Sequence, residues 1–342
     1  MRQARMVREE EESFYHCMSR VVDKQFIFNE KEKNYFRKMM RKLERFLGVE
    51  VVTYCLMSNH FHLLVRVPDK AQMPELSEGE LLELLPVLYS RNVVTDVRQE
   101  LERARKSGDD RWTRQILERY EARRGDLSVF LKELKQRFTQ WYNREKGRRG
   151  TLWEDRFKSV LVEGSENALL TMAAYIDLNP VRAGMVSDPK DYRWCGYAEA
   201  VAGNAPARRG LCAILKQTSY AENWKVTWRE TAAKYRLLLF GKGEAAAADP
   251  EFGTKGKRGF SVERIEAEIA RGGKLSIPEI LRCRVRYFCD GAIFGSVEFV
   301  NDIFESNRSR YGPTRKIGAR KMRGAEWGEL RVLRDLRVDV FG

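Results

Sequence analysis

The chain has 342 residues, 43% hydrophobic and 33% charged, which excludes a disordered or fibrous protein and leaves room for two or more domains with proper cores. Its 63 Lys and Arg against 49 Asp and Glu give a formal charge of +14, the footprint of a polyanion binder. No apolar run approaches the roughly 18 residues of a membrane span, and Met1-Arg2-Gln3-Ala4-Arg5 lacks the apolar core of a signal peptide, so a cytoplasmic, nucleoid-associated protein is expected.

Residues 13 to 20 carry strand-like aromatic content and predict a first strand, on which His16 is expected to hydrogen-bond locally. Asn29 caps a helix whose Phe36, Met39, Met40, Leu43, Phe46 and Leu47 recur at steps of three and four, and Gly48 stops it. Tyr54 to Val67 then reads as a strand, a polar turn at Ser58-Asn59, and a second strand. Alternation along that strand puts His60 and His62 on one face and Phe61 on the other. Two of the chain's three histidines therefore sit side by side. That suits a metal ion held by two imidazoles, and the spacing alone suits two partly exposed strand histidines equally well. Strand, helix, strand, strand opens a split βαβ, so the fold class expected is α+β: a ferredoxin-like core with an antiparallel sheet.

A charge-laced helical insertion is predicted over about 72–126, with a capping box at Ser77 and Glu80, an interruption at Pro86, and helices over Thr95 to Lys106 and Asp110 to Arg124. Leu127, Phe130, Leu131, Leu134, Phe138, Trp141 and Tyr142 make the apolar stripe of a second covering helix. Gly147-Arg148-Arg149-Gly150 breaks it, and Leu152 to Val162 turns into another strand. Ser165 caps a helix with Leu169, Met172, Ala173 and Ile176 inward, ending at Pro180. Tyr175 and Asn179 lie one turn apart on it. On residue types alone, a tyrosine with its hydroxyl at the rim and an asparagine capping the carbonyl end is the plainest reading.

Six cysteines (Cys17, Cys55, Cys195, Cys212, Cys283, Cys289) include no Cys-x-x-Cys pair, so neither a zinc knuckle nor a disulfide framework is indicated. Gly241 to Gly259 reads as a linker. Beyond it, Ile280 to Phe288 and Val297 to Phe304 read as two helices about a turn at Asp290 to Ser296, compatible with a helix-turn-helix and with two packed helices. Residues 307–323 hold seven Lys/Arg and no acid, a phosphate-contacting arm. The expected division is a core over 1–200, a helical connector and linker over 201–259, and a basic, mainly α-helical C-terminal domain over 260–342.

Together the motifs resemble the single-tyrosine HUH transposases and, within them, the REP-associated tyrosine transposases. The blocks are Phe14-Tyr15-His16-x-Met18-Ser19-Arg20, Met57-Ser58-Asn59-His60-Phe61-His62-Leu63-Leu64, Phe138-x-x-Trp141-Tyr142-Asn143, Gly150-x-Leu152-Trp153-x-x-Arg156-Phe157 and Tyr175-Ile176-x-x-Asn179-Pro180-Val181-Arg182-Ala183-Gly184, spanning about residues 10 to 200. The resemblance implies a metal-binding pair in His60 and His62, a third ligand in Asn179, Mg²⁺ or Mn²⁺ as the cation, and Tyr175 as nucleophile. It implies cleavage and rejoining of single-stranded DNA at hairpin-forming palindromic repeats through a 5′-phosphotyrosine, by a monomer or a homodimer. Arg148, Arg149, Arg156, Lys158 and Arg182 are the candidate DNA-backbone contacts. The competing expectations are a domesticated hairpin-binding protein that no longer cleaves, and an RNA-binding sheet, whose RNP-like aromatic signature is absent.

Overall fold

The computed structural model describes residues 6, 11–216, 227–240, 281, 285–323 and 325–333. The chain divides into two compact units: Val7–Ser159 with Trp194–Gly196, and Met1–Met6 with Val160–Arg193 and Tyr197–Gly342. Four of the described strand pairings are antiparallel and one is parallel, giving the α+β class expected.

The first unit is built on β1 (Ser13–Arg20), α1 (Glu30–Leu47), β2 (Glu50–Leu56) and β3 (His60–Val67). β3 lies between the other two strands, antiparallel to both. Its register with β1 sets Met18 opposite His62 and Arg20 opposite His60. Helix α1 and the later helix α5 (Leu127–Glu145) pack together over the Phe61 face through rings. Phe36 lies 5.0 Å from Phe61 and 5.3 Å from Phe138, and Phe28 stacks on Phe138 at 4.9 Å. Edge-on and offset rings of this kind add to the burial of large apolar area. The strand alternation that drives Phe61 into this core directs His60 and His62 to the opposite face.

Between β3 and α5 stand α2 (Glu78–Leu88), α3 (Arg91–Ser107) and α4 (Asp110–Glu121), the expected insertion. The capping box at Ser77 and Glu80 is formed. Pro86 does not interrupt: it sits in the last turn of α2, which runs on to Leu88, and α3 starts at Arg91, earlier than Thr95. The insertion is anchored by the Gly125 N–H to the Leu47 carbonyl (2.8 Å), and by Arg123 on the Glu133 carboxylate and the Tyr89 hydroxyl (each 2.5 Å). Trp194–Gly196 returns along β2, with the Leu56 N–H donating to the Trp194 carbonyl at 3.0 Å and the Trp194 indole to Asn34 at 3.1 Å.

The second unit holds α6 (Glu166–Asp177), α7 (Asn179–Arg182), α8 (Gly196–Val201), α9 (Ala205–Lys216), α10 (Trp228–Phe240), α11 (Arg286–Asp290) and α12 (Val297–Ser306). Asp177 is fully buried at the end of α6; one carboxyl oxygen accepts the Tyr235 hydroxyl of α10 at 2.6 Å, the other the Tyr197 N–H of α8 at 3.1 Å.

The turn expected between two helices near the C-terminus is instead a strand. β5 (Ile293–Gly295) runs parallel to the end of β4 (Lys158–Val162), pairing Leu161 with Ile293, and β7 (Arg331–Val332) and β6 (Arg320–Lys321) extend it antiparallel. Buried Ile293 and Phe294 favour this over an exposed turn. Glu163 fixes the junction by accepting both the N–H and the hydroxyl of Ser296 at 2.8 Å. A helix-turn-helix is therefore not what residues 285–306 form. The linker at 241–259 and most of the first expected helix, Ile280 to Phe288, lie outside the described residues. Among the described residues, no helix is long and apolar enough to cross a membrane.

Candidate active site

In the first unit the three histidines converge. His62 is 4% and His16 0% exposed, and His62 Nδ1 lies 2.9 Å from His16 Nε2 with the rings nearly parallel. His60 is half-buried, its ring edge-on to His62 at 5.1 Å between centroids. The partner of His16 is thus 46 residues away, not local as expected. The signal was available in principle: antiparallel pairing with His62 opposite Met18 puts His16 on the histidine face.

His60 Nδ1 sits 2.7 Å from Asn59 Oδ1, and Asn59 Nδ2 donates to the Lys24 carbonyl at 2.9 Å. Lys24 and its neighbour Asp23 both take left-handed φ of 54°, uncommon for residues with a Cβ. Backbone bonds from the Val21 N–H to the Asn59 carbonyl (2.9 Å) and from the Phe28 N–H to the Ser58 carbonyl (3.0 Å) hold this loop on the β2–β3 turn. Among the described residues no group of three or more His, Cys, Asp or Glu side chains could hold a metal.

In the second unit Tyr175 is 1% exposed, so its hydroxyl is buried rather than at a rim. It lies 3.0 Å from Cys289 Sγ, the Phe288 ring meets it edge-on at 4.9 Å, and the Arg182 guanidinium lies 4.0 Å from its ring centre. Arg182 also donates to the Tyr175 carbonyl (2.7 Å) and the Leu281 carbonyl (2.6 Å). It is turned onto the end of α6, where a cation also offsets the negative pole of the helix. Asn179 donates its amide to the Ile176 carbonyl at 3.0 Å and the Tyr175 carbonyl at 3.4 Å, the carbonyl cap that its residue type suggests. No sequence signal links Tyr175 to Cys289, 114 residues on.

Of the other expected DNA contacts, Arg149, Arg156 and Lys158 are exposed, whereas Arg148 is half-buried and reaches the Thr151 carbonyl (3.3 Å) and Asn143 Oδ1 (3.4 Å). In the basic segment, Arg308 and Arg315 lie over Phe304 at 5.2 and 5.6 Å; Lys316, Arg320, Lys321 and Arg323 are exposed. Cys17, Cys55, Cys195 and Cys289 are buried and outside any disulfide, as expected of structural cysteines, and Cys212 is half-buried.

Residues 10–79 match the family described as "Transposase IS200 like". No curated protein matches. Among solved structures, one similar chain is described as the structure of the REP-associated tyrosine transposase bound to a REP hairpin; it is 15% identical, with 59% of this chain and 87% of that chain covered and a TM-score of 0.38. The matched segment contains β1, α1, β2, β3 and all three histidines, and stops well before Tyr175. The similarity to the IS200-like transposases is thus confined to residues 10–79.

Proposed function

We propose that the protein is a cation-dependent enzyme that cleaves and rejoins single-stranded DNA beside hairpin-forming repeats. The observation that carries this reading is the histidine cluster on β1 and β3, with His16 and His62 buried and His60 half-buried, inside the family-matched segment. Two imidazoles at alternate positions of one strand, with ring centres 5.1 Å apart, fit a single cation whose remaining positions take oxygen. His60 and His62 would hold Mg²⁺ or Mn²⁺, with Asn179, whose amide nitrogen is engaged by carbonyls, contributing its oxygen as the third ligand that the family resemblance implies. The cation would offset charge on the phosphate and on the leaving oxygen.

The protein's own part in the reaction begins with the Tyr175 phenol. Its oxygen attacks the phosphorus and loses its proton, the bond to the preceding O3′ breaks, and that oxygen leaves as a 3′-hydroxyl. The phosphotyrosine keeps a phosphodiester-like bond, so the reverse attack by a 3′-hydroxyl rejoins DNA without ATP. Exposed Arg149, Arg156 and Lys158 would follow the DNA backbone. Arg182 acts on Tyr175 itself, packing on the ring and its carbonyl. Because Tyr175 is covered, its attack requires Phe288 and Cys289 to draw back.

A labelled hairpin with a single-stranded 5′ flank, incubated with the protein and Mn²⁺ or Mg²⁺, tests the reading. A denaturation-resistant adduct lost with EDTA and in Tyr175→Phe is expected. An adduct that survives Tyr175→Phe overturns the assignment of the nucleophile. The burial of Tyr175 favours a second reading, a hairpin-binding protein without cleavage; tight binding with no adduct under any cation would establish it.

A further inference from the structure

We infer that Phe26 is a stacking platform for one unpaired base of the DNA strand, beside the phosphate that His60 and His62 would hold. The inference rests on the single-stranded DNA reading above and adds a binding subsite to it.

Phe26 is 77% exposed, more than any other large hydrophobic side chain among the described residues. The next two residues, Ile27 and Phe28, are buried, and the Phe28 ring stacks on Phe138. The loop therefore has its apolar anchors without Phe26. A single exposed apolar side chain is ordinary on a protein surface. What sets Phe26 apart is the backbone that carries it.

That backbone is bonded at almost every step. The Lys24 N–H donates to the Val21 carbonyl (3.1 Å), the Gln25 N–H to the Val22 carbonyl (3.3 Å), and the Ile27 N–H to the Gln25 carbonyl (3.1 Å). The last of these closes a three-residue turn with Phe26 at its apex. Asp23 and Lys24 take left-handed φ of 54° on the way into it. Strained backbone of this sort gathers at ligand clamps, where the surroundings over-determine it. A ring carried on a fixed turn gives up little freedom when a ligand meets it.

The position of that turn identifies the ligand. Lys24, two residues before Phe26, accepts the Asn59 amide on its carbonyl at 2.9 Å, and Phe28, two residues after, donates its N–H to the Ser58 carbonyl at 3.0 Å. Phe26 is thus tethered on both sides to the turn that leads directly into His60, its Cα no more than about 7 Å from the Cα of either tether. The same loop is bonded to the stretch between Arg149 and Arg156, through the Val22 N–H to the Leu152 carbonyl (3.1 Å) and the Glu154 N–H to the Arg20 carbonyl (3.0 Å). Lys24, Arg149 and Arg156 are exposed cations here, and Asp23, Glu154 and Asp155 are exposed acids, so charge alone does not choose the ligand. The ring does. A phosphodiester held at His60 and His62 brings its unpaired bases with it, and every base offers a flat π-face to an aromatic side chain. A duplex, whose bases are already stacked on one another, has no such face to give.

The test titrates the full chain, in EDTA, with a DNA hairpin carrying a single-stranded oligo(dT) flank in which 2-aminopurine replaces one thymine at a time. Stacking tolerates any base, so no particular repeat is needed. Wild type is expected to change the 2-aminopurine emission most at one flank position, and an abasic site at that position to weaken binding by about 5- to 150-fold. Phe26→Ala should weaken binding of the intact flank by a similar factor, lose the emission change, and be indifferent to the abasic site. Phe26→Tyr should keep both affinity and emission change, and Phe26→Leu, apolar without being aromatic, should fall between. A hairpin without the flank should be bound equally by all four proteins. Because Phe26 is exposed, its variants are expected to keep the wild-type denaturation midpoint, which a packing role would lower. Equal affinity of wild type and Phe26→Ala for the flanked hairpin overturns the inference, as does an abasic penalty that Phe26→Ala shares at every position. The adduct assay described above scores the cleavage reading separately. An adduct with no effect of Phe26 on binding defeats the inference alone, whereas an effect of Phe26 with no adduct upholds the stacking site and defeats the cleavage reading.

Discussion

The Tyr175 hydroxyl and the Cys289 sulfur lie 3.0 Å apart, which ties the proposed nucleophile to a helix more than a hundred residues further along the chain. A hydrogen bond of this kind contributes about 1 kcal/mol. If uncovering precedes attack, removing it raises the uncovered population by roughly fivefold. Cys289→Ala is therefore expected to speed adduct formation by about that factor, and Cys289→Ser, which keeps a donor, to change it less. Single-turnover adduct kinetics read both; equal rates in all three proteins would show that uncovering does not limit the reaction.

Arg182 is held by two carbonyls and by the ring of Tyr175. Lysine cannot reproduce a planar fork and a stack together. Arg182→Lys should cost about 1–2 kcal/mol of local stability, seen as faster hydrogen exchange in α6. It should leave the salt dependence of DNA binding unchanged. Arg149→Ala or Arg156→Ala should instead lower the slope of log affinity against log salt by about 0.7.

Gly196 lies so close to β2 that a Cβ would meet the Thr53 hydroxyl, and would stand 2.9 Å from both Thr53 Cα and the Tyr54 nitrogen. Backbone cannot yield as a flexible side chain does. Gly196→Ala is expected to destabilise the first unit by about 1–3 kcal/mol, measured as a lower denaturation midpoint; Gly108→Ala meets no atom and tests only the left-handed φ of 69° there.

Burial pushes the Lys135 ammonium down to about 8, with Asp155 opposing the shift. The folded protein gives up this proton near 8, whereas an unfolded chain holds it to about 10.4. Stability should therefore rise with pH between those values, by less than about 1.4 kcal/mol per unit, and show no gain from this group below 8. Burial raises the phenols of Tyr35 and Tyr120, which act in the opposite sense at higher pH. Comparison with Lys135→Met over pH 7.5–9.5 isolates the lysine, and its Nζ chemical shift should titrate near 8.

Much of the first unit was legible because its signals are periodic and local. The alternation around His60 and the three- and four-residue steps from Phe36 to Leu47 each state a face, and the faces agree. The insertion was readable from the capping box at Ser77 and Glu80 and from its charge-laced helical stretches. The strands β5, β6 and β7 were not, since two or three residues cannot display a period and depend on distant partners for their hydrogen bonds. The candidate residues divide in the same way. His60 and His62 announce themselves by spacing, whereas Arg182 looks like any surface cation until the carbonyls of Tyr175 and Leu281 are seen to claim it. Cys289 carried no local mark at all.

The buried carboxyl of Asp177 limits how Tyr175 can be reached. Asp177 follows Tyr175 by two positions on α6 and spends one oxygen on α8 and the other on α10. Turning α6 about its axis would break both bonds at once and strand a polar group inside the protein, at a cost of several kcal/mol. The helix thus behaves as a fixed post rather than a lever, and if Tyr175 is the nucleophile, as proposed, DNA would come to it by the parting of what lies over it.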